Sequence, residues 1–284
     1  MKVEARAKIN LTLNVTGRRD NGYHDLELIF QPVSLSDTLF IEKKEEPGLD
    51  FTCSIKAFEN PTNLVCRAYE KMAERYSQVG GMKVHLRKRI PSGAGMGGGS
   101  TDAAAMILTM DQIYGLNMTW EEKCSLGASL GADVPACMLT RASIGRGIGE
   151  ELTEIDTDLS YSLLVIKPKY SFSTAKMYQA IDESGQITQK YLSGQVIKGL
   201  ETGDLGLISR NLYNVFEEAV PGAERIQELK ELLLSHGAIG SLMTGSGSCV
   251  YGIFRNRRIR DKAYLALRGK YRVFACEAVN RRNT

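Results

Sequence analysis

A glycine-rich stretch that runs into a helix-forming segment carries the strongest chemical signal in this sequence. Glycines stand at positions 93, 95, 97, 98 and 99, and Ser100 and Thr101 follow them directly. A helix N-terminus presents unpaired backbone N–H groups and a partial positive charge, and glycine lets that backbone approach an anion closely. Because a mere connector would not need to lead straight into a good helix, the stretch predicts a phosphate-binding loop.

Two widespread nucleotide-binding motifs match this stretch only in part. Residues 93–98 have the spacing of the dinucleotide fingerprint G-x-G-x-x-G, which needs an acidic residue at the end of a second strand about 20 residues further on. At that distance the chain instead predicts a helix start, at Glu121 and Glu122. Residues 93–100 nearly match the P-loop G-x-x-x-x-G-K-[ST], but Gly99 replaces the lysine that reaches the phosphates. Neither motif fits.

Asp133 and Lys8 could supply the remaining chemistry of phosphoryl transfer. That reaction needs a group that takes the proton of the accepting hydroxyl, and charge that offsets the phosphates. Asp133 lies between Gly131 and Pro135, at a helix end or turn, so the residues alone allow a base or a turn carboxylate equally. Lys8 lies on a predicted strand, where lysine is usually solvated, but beside a carboxylate it would hold that group ionised. Asn10 shares its face of the strand and could orient the accepting hydroxyl.

Three further positions have both a structural and a functional interpretation. Tyr23 and His24 follow a glycine, and they are either a turn aromatic beside an ordinary histidine or a pair that binds a base. The second glycine-rich loop, at residues 245–247, is either a tight strand turn or a set of backbone donors for phosphate. Asn63 follows Pro61 at the start of a predicted helix, where it could be only a helix cap.

Several segments together resemble the GHMP kinase superfamily, which includes galactokinase, homoserine kinase and mevalonate kinase. Residues 91–101, PSGAGMGGGST, look like the phosphate loop of that family. The segments AKINL at residues 7–11, GADVP at 131–135 and MTGSGS at 243–248 are similar to further family motifs, in the same order. The resemblance extends from residue 5 to about residue 255, close to the whole chain.

The resemblance implies a kinase that uses ATP and Mg²⁺ and transfers the phosphoryl group directly, without a covalent enzyme intermediate. It implies that Asp133 is the catalytic base and that Lys8 is its partner. It implies that the hydroxyls of Ser100 and Thr101 supply contacts to phosphate or to Mg²⁺, and it does not single out the protein ligands of Mg²⁺. The nucleotide-binding positions that it implies are Asn63, Gly95, Gly97, Gly98, Gly99, Ser100 and Thr101.

The segment GRRDNGYH at residues 17–24 narrows this resemblance. It is similar to the family members that phosphorylate the 2-hydroxyl of a cytidine diphosphate-linked methylerythritol in the non-mevalonate isoprenoid pathway. These members imply a cytosine pocket in which Tyr23 stacks on the base and His24 bonds to its edge. They also imply that Tyr178 completes the stack, with Tyr170 and Phe172 as competitors. Further substrate contacts are implied for Asn10, Thr174, Gly245 and Ser246.

Two other functions remain open. Another GHMP kinase, acting on a small acceptor such as homoserine or mevalonate, would have no base for Tyr23 and His24 to bind. A catalytically inactive binding protein on the same fold would not need both Lys8 and Asp133, so their presence argues against that function.

The glycine-rich loop departs from the commoner family pattern at three positions. Met96, Thr101 and Asp102 stand where leucine, serine and asparagine are expected. Methionine for leucine changes the packing, and threonine keeps the hydroxyl. Asp102 adds a negative charge beside a triphosphate site, but in the first helix turn it also complements the helix dipole, and it could help to recruit Mg²⁺.

The composition indicates an ordinary globular protein, with 284 residues, 43% of them hydrophobic, and a formal net charge of +3. So small a positive excess does not suggest a nucleic-acid surface, and no apolar run is long enough to span a bilayer. Charges occupy the N-terminal residues, where a signal peptide needs an apolar segment. The scattered cysteines do not have zinc-ligand spacing. We expect a cytoplasmic monomer or homodimer that binds small molecules and neither nucleic acid nor membrane.

Strands and helices are mixed without a strict β–α–β rhythm, which favours an α+β fold. Residues 2–15 predict one strand, and residues 25–44 predict two strands with a break at 34–37. Residues 136–146 and 163–167 predict a pair of strands, and residues 205–219 predict a helix. The family resemblance implies two domains, residues 1–155 with the ATP site and residues 156–284, with the active site in the cleft between them.

Overall fold

The computed structural model describes residues 1–20, 22–184, 190–219 and 222–280. The chain forms two compact units that are built from alternating segments. The first unit contains residues 1–7, 36–90 and 97–138, and the second contains residues 8–35, 91–96 and 139–284. Two long strands, β1 (Lys2–Arg18) and β2 (His24–Lys44), contribute residues to both units. The division of the chain at residue 155 stays a prediction.

The first unit packs helices on a sheet. Strand β4 (Gly81–Arg87) pairs antiparallel with residues 38–44 of β2 and parallel with β3 (Leu49–Cys53). Residues 82, 84 and 86 of β4 are buried and alternate with exposed residues, which gives the sheet one apolar face. That face forms a core with apolar residues of the helices. The helices are α1 (Leu64–Arg75), α2 (Gly98–Tyr114), α3 (Trp120–Ala128) and α4 (Val134–Cys137).

The second unit contains an antiparallel sheet with the strand order β11-β7-β10-β9. These strands are β7 (Ser162–Lys167), β9 (Gly240–Met243), β10 (Val250–Phe254) and β11 (Arg272–Glu277). Every residue of β10 is buried, because helices and neighbouring strands cover it. The helices of this unit are α5 (Thr174–Ser184), α6 (Ser193–Thr202), α7 (Leu205–Arg210), α8 (Phe216–Ala219), α9 (Ala223–Ser235) and α10 (Arg257–Leu267).

Three short strands extend the second unit. Strand β5 (Ser143–Arg146) pairs antiparallel with residues 28–30 of β2 and with β6 (Glu151–Glu154). Strand β8 (Tyr213–Asn214) pairs parallel with residues 12–13 of β1. Mixed helices and sheets in both units agree with the α+β expectation.

The predicted break at residues 34–37 is wrong, because β2 is one continuous strand. The polar residues that suggested a turn are hydrogen-bond acceptors for other segments. Ser34 Oγ accepts from Glu277 N at 2.9 Å. Asp37 Oδ1 accepts from Ile90 N at 2.8 Å. Turn-forming residue types therefore sit inside a strand because tertiary contacts use their side chains.

Two other predicted elements are also wrong. Residues 136–146 and 163–167 do not pair, since α4 occupies part of the first segment and β7 pairs with β10 and β11. Residues 205–219 form α7, β8 and α8 instead of one helix. Asn214 explains the interruption, because its side chain bonds to backbone groups of a distant loop.

None of the six cysteines, all of which lie in described residues, forms a disulfide. Within the same part of the chain, no helix has both the length and the apolar character needed to cross a membrane.

Candidate active site

The glycine-rich loop ends in the first turn of α2. Gly97 occupies the N-cap position with φ 70°, and the helix begins at Gly98. The first intrahelical bond runs from Thr101 N to Gly97 O, so the preceding N–H groups have no partner within the helix. This helix start is suited to an anion such as phosphate.

The two hydroxyls after the glycines have different environments. Thr101 is 2% exposed, and its Oγ1 donates to Arg6 O at 2.6 Å. Its hydroxyl proton is therefore used within the first unit, and only its lone pairs could meet a ligand. Ser100 is half-buried. Phosphate contacts from both hydroxyls stay predictions, and Ser100 is the better placed.

Asp102 belongs to a buried cluster of three ionisable side chains with Lys88 and Asp37. Lys88 Nζ donates to Asp102 Oδ2 at 2.6 Å and also to Asp37. Burial raises the pKa of Asp102 to about 8, although the Lys88 ammonium opposes this. Burial lowers the pKa of Lys88, but the two carboxylates raise it by more, so it lies above its ordinary value. The carboxyl group of Asp102 is thus bound to Lys88. The sequence interpretation missed Lys88 and Asp37. The available signal for this cluster was that Asp37 and Asp102 are acidic residues among apolar positions, one in a strand and one in a helix.

Asp133 and Asn63 complete the predicted residues of the first unit. Asp133 precedes α4 at the N-cap position, and its side chain makes no capping hydrogen bond. The Asp133 carboxylate therefore does not cap α4. Asn63 Oδ1 accepts from Val65 N at 3.0 Å, so Asn63 caps α1. The roles of Asp133 as base and Asn63 at the adenine stay predictions.

Lys8 and Asn10 are neighbours on one face of β1 in the second unit. Lys8 is 6% exposed, and its Nζ donates to Asn10 Oδ1 at 2.9 Å. Asn10 Oδ1 also accepts from Gly245 N at 3.1 Å. Asn10 Nδ2 is buried and has no hydrogen-bond partner in the described part of the chain. Asn10 therefore fixes the lysine and retains a donor that could meet a ligand.

The loop at residues 244–248 touches the glycine-rich loop through Gly95. Thr244 Oγ1 donates to Gly95 O at 3.2 Å. Asn214 Nδ2 donates to Gly245 O at 2.8 Å and so also holds the loop. Gly247 N donates to Thr244 O, so the loop itself uses this donor. Of the three donors predicted at residues 245–247, Ser246 N–H alone lacks a partner among residues the structure describes.

The predicted cytosine pocket contains a stack of two rings. His24 and Tyr178 have ring centroids 4.7 Å apart and an interplanar angle of 17°. His24 Nε2 lies 2.7 Å from Asp182 Oδ1. The ring of Tyr178 also meets Phe216 edge-on, at 5.0 Å between centroids. Tyr23 is 59% exposed, so a ligand can reach its ring. A base held between Tyr23 and Tyr178 stays a prediction.

Thr174 and Ser246 join the start of α5 to the loop at residues 244–248. Their hydroxyl oxygens lie 2.8 Å apart. Cys249 follows this loop and is fully buried, and burial raises the pKa of its thiol to about 12. The thiol therefore stays protonated and unreactive at neutral pH.

Three residues of the second unit were missed by the sequence interpretation. Asn214 holds the loop at residues 244–248, Asp182 contacts His24, and Lys167 donates a hydrogen bond to Ser248 in the loop at residues 244–248. Asn214 and Lys167 are single polar residues at the ends of short buried strands, and Asp182 lies among other polar residues of α5. Such a residue has no local pattern that distinguishes it from a solvated side chain.

The residues present are compatible with a Mg²⁺ ion that arrives with nucleotide phosphates. In the described ranges, no group of three or more His, Cys, Asp or Glu side chains is placed to hold a metal. Mg²⁺ in kinases needs only one or two protein oxygens, since phosphates and water supply the rest. The hydroxyl of Ser100 is an oxygen of this kind at the start of α2.

Comparisons with known proteins agree with the sequence motifs. A model of the GHMP kinases N terminal domain matches residues 63–141, and a model of the GHMP kinases C terminal domain matches residues 196–273. A 4-diphosphocytidyl-2-C-methyl-D-erythritol kinase of Caldicellulosiruptor saccharolyticus is 38% identical over 90% of this chain and 89% of its own length.

Solved structures give the same result. The crystal structure of a 4-(cytidine 5'-diphospho)-2C-methyl-D-erythritol kinase matches with a TM-score of 0.85 and 32% identity over 99% of this chain and 100% of that chain. The L. major mevalonate kinase in complex with R-mevalonate matches with a TM-score of 0.78 at 18% identity, over 100% of this chain and 97% of that chain, which shows a shared fold. The predicted family and two-domain α+β fold are confirmed. The chain therefore belongs to the 4-diphosphocytidyl-2-C-methyl-D-erythritol kinase family of the GHMP kinases, and it is a small-molecule kinase.

Proposed function

We propose that this protein transfers the γ-phosphoryl group of ATP to the 2-hydroxyl of 4-diphosphocytidyl-2-C-methyl-D-erythritol, in the methylerythritol phosphate pathway of isoprenoid synthesis. The observation that carries this proposal is the 38% identity, over 90% of the chain, to a relative of that name. In this proposal the protein is a cytoplasmic monomer or homodimer that binds small molecules, and neither nucleic acid nor membrane.

The nucleotide is proposed to bind at the glycine-rich loop and the start of α2. Gly97, Gly98 and Gly99 leave backbone N–H groups accessible to the phosphates, and Ser100 adds a hydroxyl. When bound, Mg²⁺ would neutralise phosphate charge, with the Ser100 hydroxyl as its protein ligand. Asn63 is proposed to lie beside the adenine, and its cap of α1 would fix its position.

Asp133 is proposed to take the proton of the accepting 2-hydroxyl while that oxygen attacks the γ-phosphorus. The bond from phosphorus to the β-γ bridging oxygen breaks in line, and ADP leaves without a covalent enzyme intermediate. Lys8 is proposed to keep the carboxylate ionised and to offset phosphate charge. Its hydrogen bond to Asn10 supports this role, because it holds a buried ammonium in one position.

The cytidine end of the acceptor is proposed to bind at Tyr23, His24 and Tyr178. Aromatic rings stack on bases with a contribution of about 1–3 kcal/mol for each base. The exposed ring of Tyr23 and the His24–Tyr178 stack support such a pocket. Thr174, Ser246, Gly245 and the Nδ2 group of Asn10, which has no partner among the described residues, are proposed to bind the remainder of the acceptor.

The proposal is tested by measuring ADP release from ATP and Mg²⁺ with four acceptors: the cytidyl compound, mevalonate, homoserine and galactose. Turnover with the cytidyl compound alone is the expected result. Turnover with another acceptor instead would agree with a kinase but would overturn the assignment of a cytosine pocket. If ATP binds but no acceptor is phosphorylated, the alternative of a catalytically inactive binding protein is favoured.

The catalytic assignment is tested in the same assay with Asp133→Asn. We expect kcat to fall by about 10³-fold or more, since loss of a general base removes about 10²–10⁴-fold of rate and the amide also removes the charge that Lys8 complements. Binding of ATP is expected to be retained. Asp50→Asn is the matched control, because this carboxylate is 60% exposed and pairs with Lys44 on the surface of the same unit. Turnover by Asp133→Asn at the control rate would remove Asp133 from the base role.

A further inference from the structure

Lys167, the last residue of β7, joins two loops of the second unit. Its Nζ donates to Pro168 O at 3.0 Å, Tyr170 O at 2.8 Å and Ser171 Oγ at 3.0 Å, all within the segment that follows the strand. It also donates to Ser248 Oγ at 3.1 Å, in the loop at residues 244–248. One ammonium group thus connects residues 168–171 to the second glycine-rich loop.

The hydrogen-bonding capacity of Lys167 is fully used by these contacts. A lysine ammonium has three N–H donors, and here four oxygens lie within hydrogen-bond distance. Burial lowers the pKa of Lys167, which agrees with an environment where protein oxygens have replaced water. No donor remains for a phosphate, so direct phosphate binding does not explain this residue.

Other contacts join the same two loops. Ser248 Oγ donates to Tyr170 O at 2.5 Å. Gly247 packs so closely on the segment after β7 that an added Cβ would lie 2.8 Å from Phe172 Cδ2. Polar and apolar contacts therefore hold the loops in one relative position, and Lys167 contributes the charge.

Both loops lead into residues that are proposed to bind the acceptor. The first continues to Thr174, whose hydroxyl lies 2.8 Å from that of Ser246 in the second loop. Tyr178 follows one turn later on α5. We propose that Lys167 is a positioning residue for acceptor binding, which holds Thr174, Tyr178 and Ser246 in one arrangement. This inference rests on the proposed function of these residues, and Lys167 acts through the loops without touching the acceptor.

The inference is tested by comparing Lys167→Met with Lys169→Met. Lys167→Met keeps an unbranched side chain that is one atom shorter, and it removes the donors. Lys169 is an exposed lysine of the same segment, so its variant controls for loss of a positive charge. We expect Lys167→Met to raise the acceptor KM by about tenfold or more, since hydrogen bonds to charged groups contribute about 1.5–3 kcal/mol. The ATP KM is expected to change by less than about twofold. Lys167→Arg should recover part of the loss, because it keeps the charge and several donors.

A double-variant cycle with Ser248→Ala separates positioning from general destabilisation. If both residues act through one bridge, Lys167→Met combined with Ser248→Ala will raise the acceptor KM little more than Lys167→Met alone. An acceptor KM for Lys167→Met equal to that of Lys169→Met would overturn the inference. Equal increases in the KM of ATP and of acceptor, with a lower Tm, would also overturn it.

The inference and the proposed function fail in different ways. If the wild-type protein uses an acceptor other than the cytidyl compound, the proposed function is wrong, and the same KM comparison on that acceptor still tests Lys167. If the wild-type protein uses the cytidyl compound and Lys167→Met matches its control, only the inference is wrong.

Discussion

Gly95 and Thr244 bring two glycine-rich loops into backbone contact. Thr244 Oγ1 donates to Gly95 O at 3.2 Å, and a Cβ added to Gly95 would lie 2.0 Å from Thr244 O. Gly95 also has φ +71°, a conformation that residues with a side chain rarely adopt. Two independent constraints therefore require glycine here, one from backbone conformation and one from the neighbouring loop.

Gly95→Ala is expected to lower the free energy of unfolding by about 3 kcal/mol, because backbone strain and overpacking each cost about 1–3 kcal/mol. The matched control is Gly115→Ala, at φ +61° with nothing within 4 Å of an added Cβ. The control should lose only about 1 kcal/mol, from its conformation. Urea unfolding followed by circular dichroism measures both, and equal losses would show that the loops can move apart.

Asp102→Asn is expected to change how stability depends on pH. The pKa of Asp102 in the folded protein is about 8, above its ordinary value of 3.8, so the folded state binds this proton more tightly than the unfolded chain does. The free energy of unfolding should therefore fall as pH rises from about 4 to about 8. Asp102→Asn cannot lose stability in this way. The Tm of the variant minus the Tm of wild type should therefore be greater at pH 8 than at pH 5, by about 3 °C or more.

Thermal unfolding of wild type, Asp102→Asn and Asp50→Asn at several pH values checks this prediction. Asp50 forms an exposed pair with Lys44, so its variant should show only a small difference, within about 1 kcal/mol. A loss of about 3–5 kcal/mol in Asp102→Asn at every pH would instead indicate a permanently ionised pair with Lys88.

Tyr23→Ala and Tyr178→Ala are expected to differ in their effect on stability, although both residues are proposed to contact the acceptor. Tyr23 is 59% exposed, so its variant should keep the wild-type Tm and raise the acceptor KM by about tenfold or more. Tyr178 packs on His24 and Phe216, so its variant should lower the Tm as well. Steady-state kinetics with each substrate varied in turn measures this, and Tyr271→Ala, at 36% exposure on a turn after α10, is the control. An equal rise in the ATP KM would count against a cytosine pocket.

Asp182→Asn is expected to change the protonation pattern of the His24 ring. The carboxylate accepts from Nε2–H at 2.7 Å, so neutral His24 carries its lone pair on Nδ1. An amide can donate or accept, so it no longer selects one tautomer. We expect kcat/KM for the acceptor to fall by about tenfold, in the range of a lost hydrogen bond to a charged group.

The ¹⁵N chemical shifts of the His24 imidazole report its tautomer directly, and they should move in Asp182→Asn. Glu183→Gln, at the adjacent position of α5, should leave both the shifts and the kinetics unchanged. Unchanged shifts in Asp182→Asn would show that Asp182 does not set the tautomer.

Helices and strands with a strong local residue pattern are determined by the sequence near them. The period-two apolar pattern of β4 and the capping box of α3, formed by Thr119 and Glu122, are determined by residues close together in the chain. Residues 34–37 and 205–219 were predicted wrongly for the opposite reason. Their structure depends on partners far away, such as Glu277 for Ser34 and the loop at Gly245 for Asn214.

The sequence by itself determined the family, the glycine-rich loop that leads into α2, and the residues proposed to do the chemistry. Glycine spacing before a helix is local information, and the motifs keep the order of the family. Only the tertiary structure decided what these residues touch. It directed Asp102 to Lys88, stacked Tyr178 on His24, and joined Asn10 to Thr244 across 234 residues of chain. Such contacts depend on how whole elements pack, and a single polar residue in a strand does not identify the partner that packing will bring to it.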